Sequence, residues 1–228
     1  MEGKYIISPS LMCMDYLHIG DQLKVLNKEF DWFHFDIMDG NYCPNLALNI
    51  EILKAVKKVT DIPVDVHIMA KNPDDFLIDK CIEAKADHIS VHPETLETSI
   101  FRTINKIHDA GLKAGIVINP MTTLESVEYL LNRIDILTIM TIDVGFAGQK
   151  FIEEMYKKIE QAKAMRSEKG YHYLIQVDGA CKRGFYKPLA DAGVDCFIVG
   201  NSGLFSLDED IEKACLKMHE SFKEEVGG

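Results

Sequence analysis

Eight short apolar runs, each followed by an amphipathic helical pattern, constrain the fold of this chain more than any other feature. The apolar runs lie near residues 5–12, 32–38, 63–69, 88–92, 113–119, 135–142, 172–178 and 195–200. The helical patterns lie near 15–29, 48–59, 74–85, 97–110, 122–132, 152–168, 183–192 and 208–224. Strands that are almost continuously apolar are typical of a parallel sheet covered by helices. Eight such strand–helix units predict an α/β fold, the (β/α)8 or TIM barrel.

The joints between these units agree with the predicted barrel. Gly111 and Gly193 follow helical patterns at the position of a C-terminal cap, and residues 72–75 (NPDD) are typical of a helix start. No low-complexity stretch interrupts the repeat, so we expect a single domain over residues 1–228, with its active site at the C-terminal ends of the strands. A doubly wound open sheet is the alternative, but it usually uses fewer strands and would leave the last units without a place.

Charge and composition exclude several classes of partner. The net charge is -11, and no basic stripe offsets it, which argues against a nucleic-acid partner. No apolar run approaches the roughly 18 to 20 residues of a membrane span, and the first residues lack the pattern of a signal peptide. The six cysteines are scattered without CxxC spacing and are expected to be reduced thiols. We therefore expect a cytoplasmic protein without a membrane partner.

Ligand-type residues lie inside the most apolar strands, where an unpaired charge would cost several kcal/mol. His34 and Asp36 share one face of the second strand, because side chains two residues apart point the same way. His67 lies in the third strand and Asp178 ends the seventh. Polar groups at the C-terminal strand ends converge on the barrel mouth, so these four should meet there. Two imidazoles and two carboxylates predict a site for one divalent metal ion, which could be Zn, Co, Mn or Fe.

Four further polar residues near these strands have simpler interpretations. Asp65 lies one layer below His67, where it either orients an imidazole or is a hydrogen-bonded buried carboxylate. Asp39 begins a loop and is expected to stabilise a turn. His88 lies at the start of the fourth strand, at the end of the barrel away from the predicted site, whereas His92 lies at the mouth.

Glycine-rich loops follow the last three strands, at residues 143–151, 178–181 and 200–203. Short glycine turns can direct backbone N–H groups at an anion, although glycine is also the ordinary residue of any turn. Loops after strands 7 and 8 form a phosphate site in many barrels of this kind. The three loops together predict a phosphate site that is built from backbone donors and so is compatible with an acidic chain.

Motifs from the first strand to the eighth carry a resemblance to a known family. They are ISPSLM at 7–12, HFDIMDG at 34–40, PN at 44–45, DVHIM at 65–69, NP at 119–120, GFAGQKF at 145–151, VDG at 177–179 and VG at 199–200. Together they resemble the ribulose-phosphate 3-epimerase family. The resemblance implies a metal-dependent isomerase that epimerises C3 of a ketose phosphate, binds a small sugar phosphate and forms a homodimer or larger homo-oligomer.

The resemblance also implies roles for individual residues. The metal ligands are His34, Asp36, His67 and Asp178, and the two catalytic residues are Asp36 and Asp178. The substrate-binding residues are Ser10, Met38, His67, Met69, Met140, Gly145, Phe146, Ala147, Gly148, Gly179, Ala180, Gly200, Asn201 and Ser202. Val144, Ala147, Ala180 with Cys181, and Asn201 depart from the usual family pattern, but none of them is a metal ligand or a catalytic acid.

Epimerisation at C3 removes a proton next to a carbonyl and returns one to the other face of the carbon. This reaction needs two acid–base groups on opposite sides of the substrate. Strands 2 and 7 are three steps apart in a ring of eight, so Asp36 and Asp178 can face each other across the mouth. We expect these aspartates to alternate as base and acid, through an enediolate, with Met38, Met69 and Met140 around it.

The substrate is predicted from four local segments. SLMCMD at 10–15, HPETL at 92–96, MTIDVGFAGQ at 140–149 and VDGAC at 177–181 resemble the branch of the family that converts D-allulose 6-phosphate to D-fructose 6-phosphate. The alternative is the conversion of D-ribulose 5-phosphate to D-xylulose 5-phosphate by the same chemistry. A metal-dependent phosphosugar aldolase or lyase is an alternative from another class, but it needs only one base, so the second aspartate counts against it.

Overall fold

Eight parallel strands form the centre of the protein in a computed structural model, which describes residues 5–227. The strands are β1 Ile6–Pro9, β2 Phe33–Met38, β3 Val64–Met69, β4 His88–Val91, β5 Lys113–Ile118, β6 Ile136–Met140, β7 Leu174–Asp178 and β8 Cys196–Val199. The helices are α1 Ile19–Glu29, α2 Ile50–Val56, α3 Leu77–Glu83, α4 Ile100–Asp109, α5 Glu128–Leu131, α6 Glu154–Lys169, α7 Tyr186–Ala192 and α8 Ile211–Val226. Residues 1–4 and 228 of the predicted domain lie outside the described residues, and residues 1–4 also belong to the segment considered for a signal peptide.

The strand order closes the sheet into a barrel. Each strand from β2 to β7 pairs in parallel with the one that follows it, and β1 pairs with β8. A parallel bridge between Ser10 and His34 joins the chain just after β1 to β2. The predicted (β/α)8 barrel is confirmed, and the open-sheet alternative is wrong.

The strands are buried on both faces, and each face packs differently. In β2 all six residues are buried. Phe33 and Phe35 belong to the main apolar core beneath the helices, where burial of each ring stabilises the fold by about 1.5–3 kcal/mol. Met38 and Met69 lie on the inner face and form a separate cluster at the mouth, and Met140 belongs to a third. The inner face of the barrel near its mouth is therefore a separate, partly polar region.

Some predicted boundaries differ from the observed ones. The first predicted strand ends early, because the chain bends after Pro9 into a 3-10 turn at Leu11–Cys13. The predicted start of the third helix is a separate 3-10 turn at Pro73–Asp75, and Asn72 precedes it with a left-handed φ of 49°. The predicted helix at 122–132 is reduced to a 3-10 turn at Glu125–Val127 and the short α5. The predicted glycine caps are correct: φ is 77° at Gly111 and 120° at Gly193.

The cysteines agree with the expectation of reduced thiols. All six cysteines are free thiols, and five of them are buried. Burial raises the pKa of Cys81 to about 12, which is typical of a structural thiol rather than a reactive one. Within residues 5–227, no helix has both the length and the apolar character needed to cross a membrane.

Candidate active site

Four side chains from three strands meet at the C-terminal end of the barrel. His34 and Asp36 come from β2, His67 from β3 and Asp178 from the end of β7. One ligand-type atom of each residue lies within 4.8 Å of the others. The parallel register pairs Asp36 with His67, and Asp178 is the last residue of β7, so each of these side chains reaches the mouth of the barrel.

The distances between donor atoms fit a single metal ion. His34 Nε2 lies 3.3 Å from Asp36 Oδ1 and 3.8 Å from Asp178 Oδ2. His67 Nδ1 lies 3.4 and 3.5 Å from the same two oxygens, and 3.4 Å from His34 Nε2. Donors arranged tetrahedrally around an ion with bonds of about 2.1 Å are about 3.4 Å apart. The four residues therefore suit one divalent ion, and their mixture of nitrogen and oxygen donors accepts several transition metals.

The charges in this cluster also favour a cation. Within the described part of the chain, no Lys or Arg forms an ion pair with any of the four residues. Burial opposes charge on His34, yet Asp36 and Asp65 raise the pKa of that imidazole well above its usual value. Burial likewise opposes charge on Asp36, but His34 and His67 hold the pKa of its carboxyl well below the usual range. The Asp36 carboxylate thus depends on nearby positive charge, which a divalent ion would supply.

The orientation of His34 is set by Asp65. His34 Nδ1 lies 3.1 Å from Asp65 Oδ2, and the other oxygen of Asp65 accepts a 2.9 Å hydrogen bond from Ser90 Oγ. Because a carboxylate only accepts, His34 donates from Nδ1, and Nε2 is the nitrogen that faces the cluster and would bind a metal after losing its proton. Burial opposes the charge of Asp65, but His34 helps to hold its pKa at about 2. Of the two interpretations of Asp65, orientation of an imidazole is the one that its contacts support, and the imidazole is that of the neighbouring strand.

His67 is held by a second histidine. Its Nε2 lies 2.9 Å from Nε2 of His92, which follows β4 and is completely buried. The ring of Tyr42 packs on His92 with a centroid distance of 4.8 Å, and Nδ1 of His92 lies 3.6 Å from Glu94 Oε1. The sequence places His92 at the mouth but indicates no role for it or for Glu94. The available signal is their position, directly after a strand that ends at the mouth.

Two other polar residues lie where the sequence predicts them, outside the cluster. Asp39 accepts hydrogen bonds from the backbone N–H groups of Asn41 and Tyr42, both at 2.8 Å, and of Lys71 at 3.0 Å. It therefore stabilises a turn. His88 lies at the other end of the barrel, where its ring packs on Trp32 with a centroid distance of 4.2 Å.

A cavity of about 600 Å³, part of it open to solvent, lies above the cluster and is bordered by Asp36 and Asp178. It is lined by all the predicted substrate-binding residues except His67: Ser10, Met38, Met69, Met140, Gly145, Phe146, Ala147, Gly148, Gly179, Ala180, Gly200, Asn201 and Ser202. His67 is fully buried beneath them. The cavity also has lining residues that the sequence does not predict: Met12, Cys13, Ile142, Cys181 and Ile198.

The two aspartates at this cavity have different surroundings. Ser10 Oγ donates a 2.6 Å hydrogen bond to Asp36 Oδ2, so one oxygen of Asp36 faces Ser10 while the other faces the imidazoles. The Asp36 side chain is 3% exposed and that of Asp178 is 18% exposed. Asp178 is thus the more accessible of two carboxylates that border the same space.

The glycine turns on the other side of the cavity need glycine for steric reasons. Gly145 and Gly179 have φ values of 114° and 111°, which residues with a side chain rarely adopt. A Cβ atom at Gly179 would lie 2.6 Å from Ile142 Cγ1. Ala180 also has a left-handed φ, 52°, although it is not glycine. These turns hold the backbone close to the cavity, which is the arrangement that a phosphate site built from backbone donors requires.

Comparisons with known proteins agree with this geometry. Residues 6–205 match the ribulose-phosphate 3 epimerase family. The chloroplastic ribulose-5-phosphate-3-epimerase of Arabidopsis thaliana is 38% identical over 199 residues, which cover 86% of this chain and 70% of that protein. The ribulose-phosphate 3-epimerase of Aquifex aeolicus is 37% identical over 214 residues, 93% of this chain and 95% of that protein.

The same type of barrel occurs in proteins of much lower sequence identity. A mutant tryptophan synthase alpha-subunit from Pyrococcus furiosus superposes with a TM-score of 0.71 at 15% identity, and the match covers 97% of each chain. That similarity shows the fold alone. The family match is more specific, because it extends over most of the chain and includes all four residues of the cluster. The chain belongs to the ribulose-phosphate 3-epimerase family and is an isomerase.

Proposed function

We propose that the protein epimerises C3 of a ketose phosphate and that its substrate pair is D-ribulose 5-phosphate and D-xylulose 5-phosphate. One observation carries the proposal: carboxylates from opposite parts of the barrel, Asp36 on β2 and Asp178 on β7, converge at the floor of one cavity. The relatives at 35–38% identity are named for a ribulose phosphate, which favours the pentose over the hexose as substrate.

Asp36 and Asp178 would perform the two proton transfers. One carboxylate removes the C3 proton from its face of the substrate, and the other, in its acid form, returns a proton to the opposite face. Ser10 holds Asp36 through its Oδ2 atom, which fixes the carboxyl while it gains or loses a proton. Positioned proton transfer of this kind typically contributes about 10²- to 10⁴-fold in rate.

His34, Asp36, His67 and Asp178 would hold one divalent metal ion. As a Lewis acid, such an ion would stabilise the negative charge that develops when the C3 proton leaves. The protein contributes rigidity to this site, because both imidazoles are completely buried and hydrogen-bonded on the side away from the cavity. Rigid donors of this kind need little rearrangement during the reaction.

The remaining walls of the cavity would bind the substrate and keep water away from the enediolate. Met38, Met69 and Met140 are buried and line the cavity, where their thioethers offer a polarizable, apolar surface. The turns that contain Gly145 and Gly179 lie along the same cavity and would bind the phosphate group through backbone N–H donors. The substrate would thus lie with its phosphate at the turns and its C3 between the aspartates.

D-Allulose 6-phosphate and D-fructose 6-phosphate form a second candidate pair, which a specific observation favours. The segments that resemble the hexose branch of the family also contribute cavity residues that the sequence does not predict. Met12 and Cys13 come from the segment at 10–15, and Cys181 from the segment at 177–181. Because these residues border the cavity, they could contact the substrate and distinguish a six-carbon sugar from a five-carbon one.

Turnover of D-ribulose 5-phosphate and D-allulose 6-phosphate, measured side by side with Zn, Co, Mn and Fe, tests the proposal. We expect the pentose to be favoured by about tenfold or more in kcat/KM, as is usual when a pocket discriminates one additional carbon group. If kcat/KM favoured the hexose by about tenfold instead, the second pair would be the substrates. Carbon–carbon cleavage products, or no turnover of either sugar with any metal, would overturn epimerisation. Sedimentation equilibrium would test the proposed homodimer or larger assembly.

A further inference from the structure

We propose that His92 and Glu94 are positioning residues that fix the tautomer of His67, so that the Nδ1 lone pair of His67 faces the metal-ligand cluster. This inference rests on the proposed metal-binding function of the site. It assigns a role to a chain of contacts that runs from His67 outward to the surface, through His92, Glu94 and Tyr42.

The first step follows from the two ring nitrogens of His67. Nδ1 is the atom that faces the cluster, at 3.4 Å from Asp36 Oδ1 and 3.5 Å from Asp178 Oδ2. A neutral imidazole has one N–H, and a nitrogen that binds a metal must be the one without the proton. His67 must therefore carry its proton on Nε2 to bind a metal through Nδ1.

The second step concerns the contact between His67 and His92. Their Nε2 atoms are 2.9 Å apart, and a hydrogen bond of this length needs one donor and one acceptor. If His67 donates from Nε2, His92 must accept at Nε2 and must carry its own proton on Nδ1. The tautomer of the inner histidine is thus tied to the tautomer of the outer one.

The third step concerns which ring nitrogen of His92 carries the proton. Its Nδ1 lies 3.6 Å from Glu94 Oε1, too far for a hydrogen bond, and has no hydrogen-bond partner among the described residues. A carboxylate at this distance attracts an N–H and repels a lone pair, so it favours the proton on Nδ1. Glu94 is held in place because its Oε1 accepts 2.6 Å hydrogen bonds from Tyr42 Oη and Asn119 Nδ2.

The packing around His92 holds its ring in one position. Its ring is completely buried between Tyr42 and His67, with centroid distances of 4.8 and 5.1 Å. Asn119, which holds Glu94, lies in a loop whose backbone carbonyls at Asn119, Pro120 and Thr122 accept hydrogen bonds from Lys158 Nζ. Hydrogen bonds therefore also hold the outer end of this chain of contacts in place.

The two imidazoles of the cluster are oriented in different ways, which suggests why a histidine is used here. His34 donates directly to the carboxylate of Asp65, which adds a third negative charge beside Asp36 and Asp178. A carboxylate in place of His92, next to His67, would add a fourth negative charge. A neutral His92 fixes the tautomer at that position without placing more negative charge in the buried cluster.

Zinc affinity of the full chain, stripped of metal and titrated with Zn²⁺ against a chromophoric chelator, tests the inference. His92→Phe keeps the ring but removes the acceptor, and we expect it to weaken Zn²⁺ binding by about 10- to 100-fold, the usual effect of losing a partner of a metal-bound histidine. His92→Gln, whose amide oxygen can accept from His67, should restore most of the affinity. Glu94→Gln, which removes the charge, should cause a smaller loss than His92→Phe.

His219→Phe is the matched control, because His219 lies on α8, away from the cluster, where its ring stacks on Phe30 with a centroid distance of 5.2 Å. It should leave the Zn²⁺ affinity unchanged. Equal affinities of the parent and His92→Phe would overturn the inference while leaving the metal site intact. A parent chain that binds no Zn²⁺ would overturn both.

A direct reading of the tautomer keeps the test decisive if His92→Phe does not fold. In the zinc-loaded parent, ¹⁵N NMR of the histidine rings should show His67 with a proton on Nε2 and none on Nδ1. The signals can be assigned to His67 from their loss in His67→Asn. A proton on Nδ1 of His67, or zinc bound at its Nε2, would overturn the inference.

Discussion

Aspartates at the two ends of this barrel have opposite kinds of partners. At the C-terminal end, Asp36 and Asp178 face His34 and His67, and no Lys or Arg among the described residues pairs with them. At the N-terminal end, an aspartate immediately precedes each of β4, β6 and β8 and pairs with a cationic side chain. These pairs are Asp87 with Lys57, Asp135 with Lys113, and Asp195 with Arg166.

The aspartates at the N-terminal end also join neighbouring strands. In each case the carboxylate accepts a hydrogen bond of 2.8–2.9 Å from a backbone N–H near the start of the preceding strand. The partners are Val64, Ala114 and Ile175, and the backbone N–H of each aspartate donates to the carbonyl of that same residue. With a cation and backbone donors around them, these carboxylates have all the partners they need and act as structural residues.

The difference between the two ends identifies the functional end from local chemistry alone. A carboxylate that is partly withdrawn from water is stable when cations and N–H groups surround it, as at the N-terminal end. Where such carboxylates face imidazoles and an open cavity instead, their charge is left for a ligand to balance. This difference agrees with the general rule that active sites of the fold lie at the C-terminal ends of the strands.

Asp178→Asn should give the largest effect on activity. The substitution preserves shape but removes a base, so turnover should fall by about 10²- to 10⁴-fold. Exchange of the C3 proton with solvent, followed by NMR in D₂O, should be lost as well. Because no Lys or Arg among the described residues pairs with Asp178, the free energy of unfolding should change little. Near-normal turnover in both directions would contradict the two-aspartate assignment, and Asp191→Asn, at an exposed ion pair, is the control.

Added metal should stabilise the protein through the C-terminal end only. An ion that binds the folded state alone raises the free energy of unfolding by about 2.7 kcal/mol at 100 times its dissociation constant. We expect Zn²⁺ to produce this shift in the parent and in Asp195→Ala, but not in Asp36→Asn. Urea unfolding with Zn²⁺ and with a chelator measures the shift. An equal shift in all three chains would place the ion elsewhere.

Asp195→Ala should destabilise the fold without directly affecting the chemistry. It leaves the guanidinium of Arg166 and the backbone N–H of Ile175 without their acceptor, which costs about 1–3 kcal/mol of unfolding free energy. Asp191→Ala removes an exposed ion pair with Lys187 and should cost less than about 1 kcal/mol. Urea unfolding of both variants measures the contrast, and equal losses would show that the pairs at the N-terminal end have no special structural role.

The sequence predicts the barrel and the four residues of the cluster for the same reason. Near-continuous apolar strands make each departure from apolarity visible, and the alternation of side chains along a strand is enough to place His34 and Asp36 on one face. The resemblance to a family extends this to the glycine turns. The length of the helix around α5 is overestimated, because a weak helical pattern does not show how much of it packs as a helix.

The parts of the site that the sequence does not predict depend on side-chain direction and on the path of the loops. His92 has a role only because Nε2, and not Nδ1, of His67 points toward it, and no spacing rule determines which ring nitrogen faces a neighbour. Met12 and Cys13 reach the cavity because the chain bends after Pro9 instead of continuing β1. Both facts depend on how the side chains and loops pack in three dimensions.

The smallest predicted effect is the pH dependence of stability that Asp135 contributes. Burial opposes its charge, but Lys113, the backbone N–H of Ala114 and His108 lower its pKa below the usual value. A carboxyl whose pKa is lower in the folded state stabilises above the unfolded pKa of about 3.9, and this contribution is lost as the pH falls through the folded value. The difference in unfolding free energy between the parent and Asp135→Asn should thus be constant above about pH 5 and shrink below about pH 4. Urea unfolding from about pH 6 to about pH 3 measures it, and a difference independent of pH would show that Asp135 is not held in its charged form by these contacts.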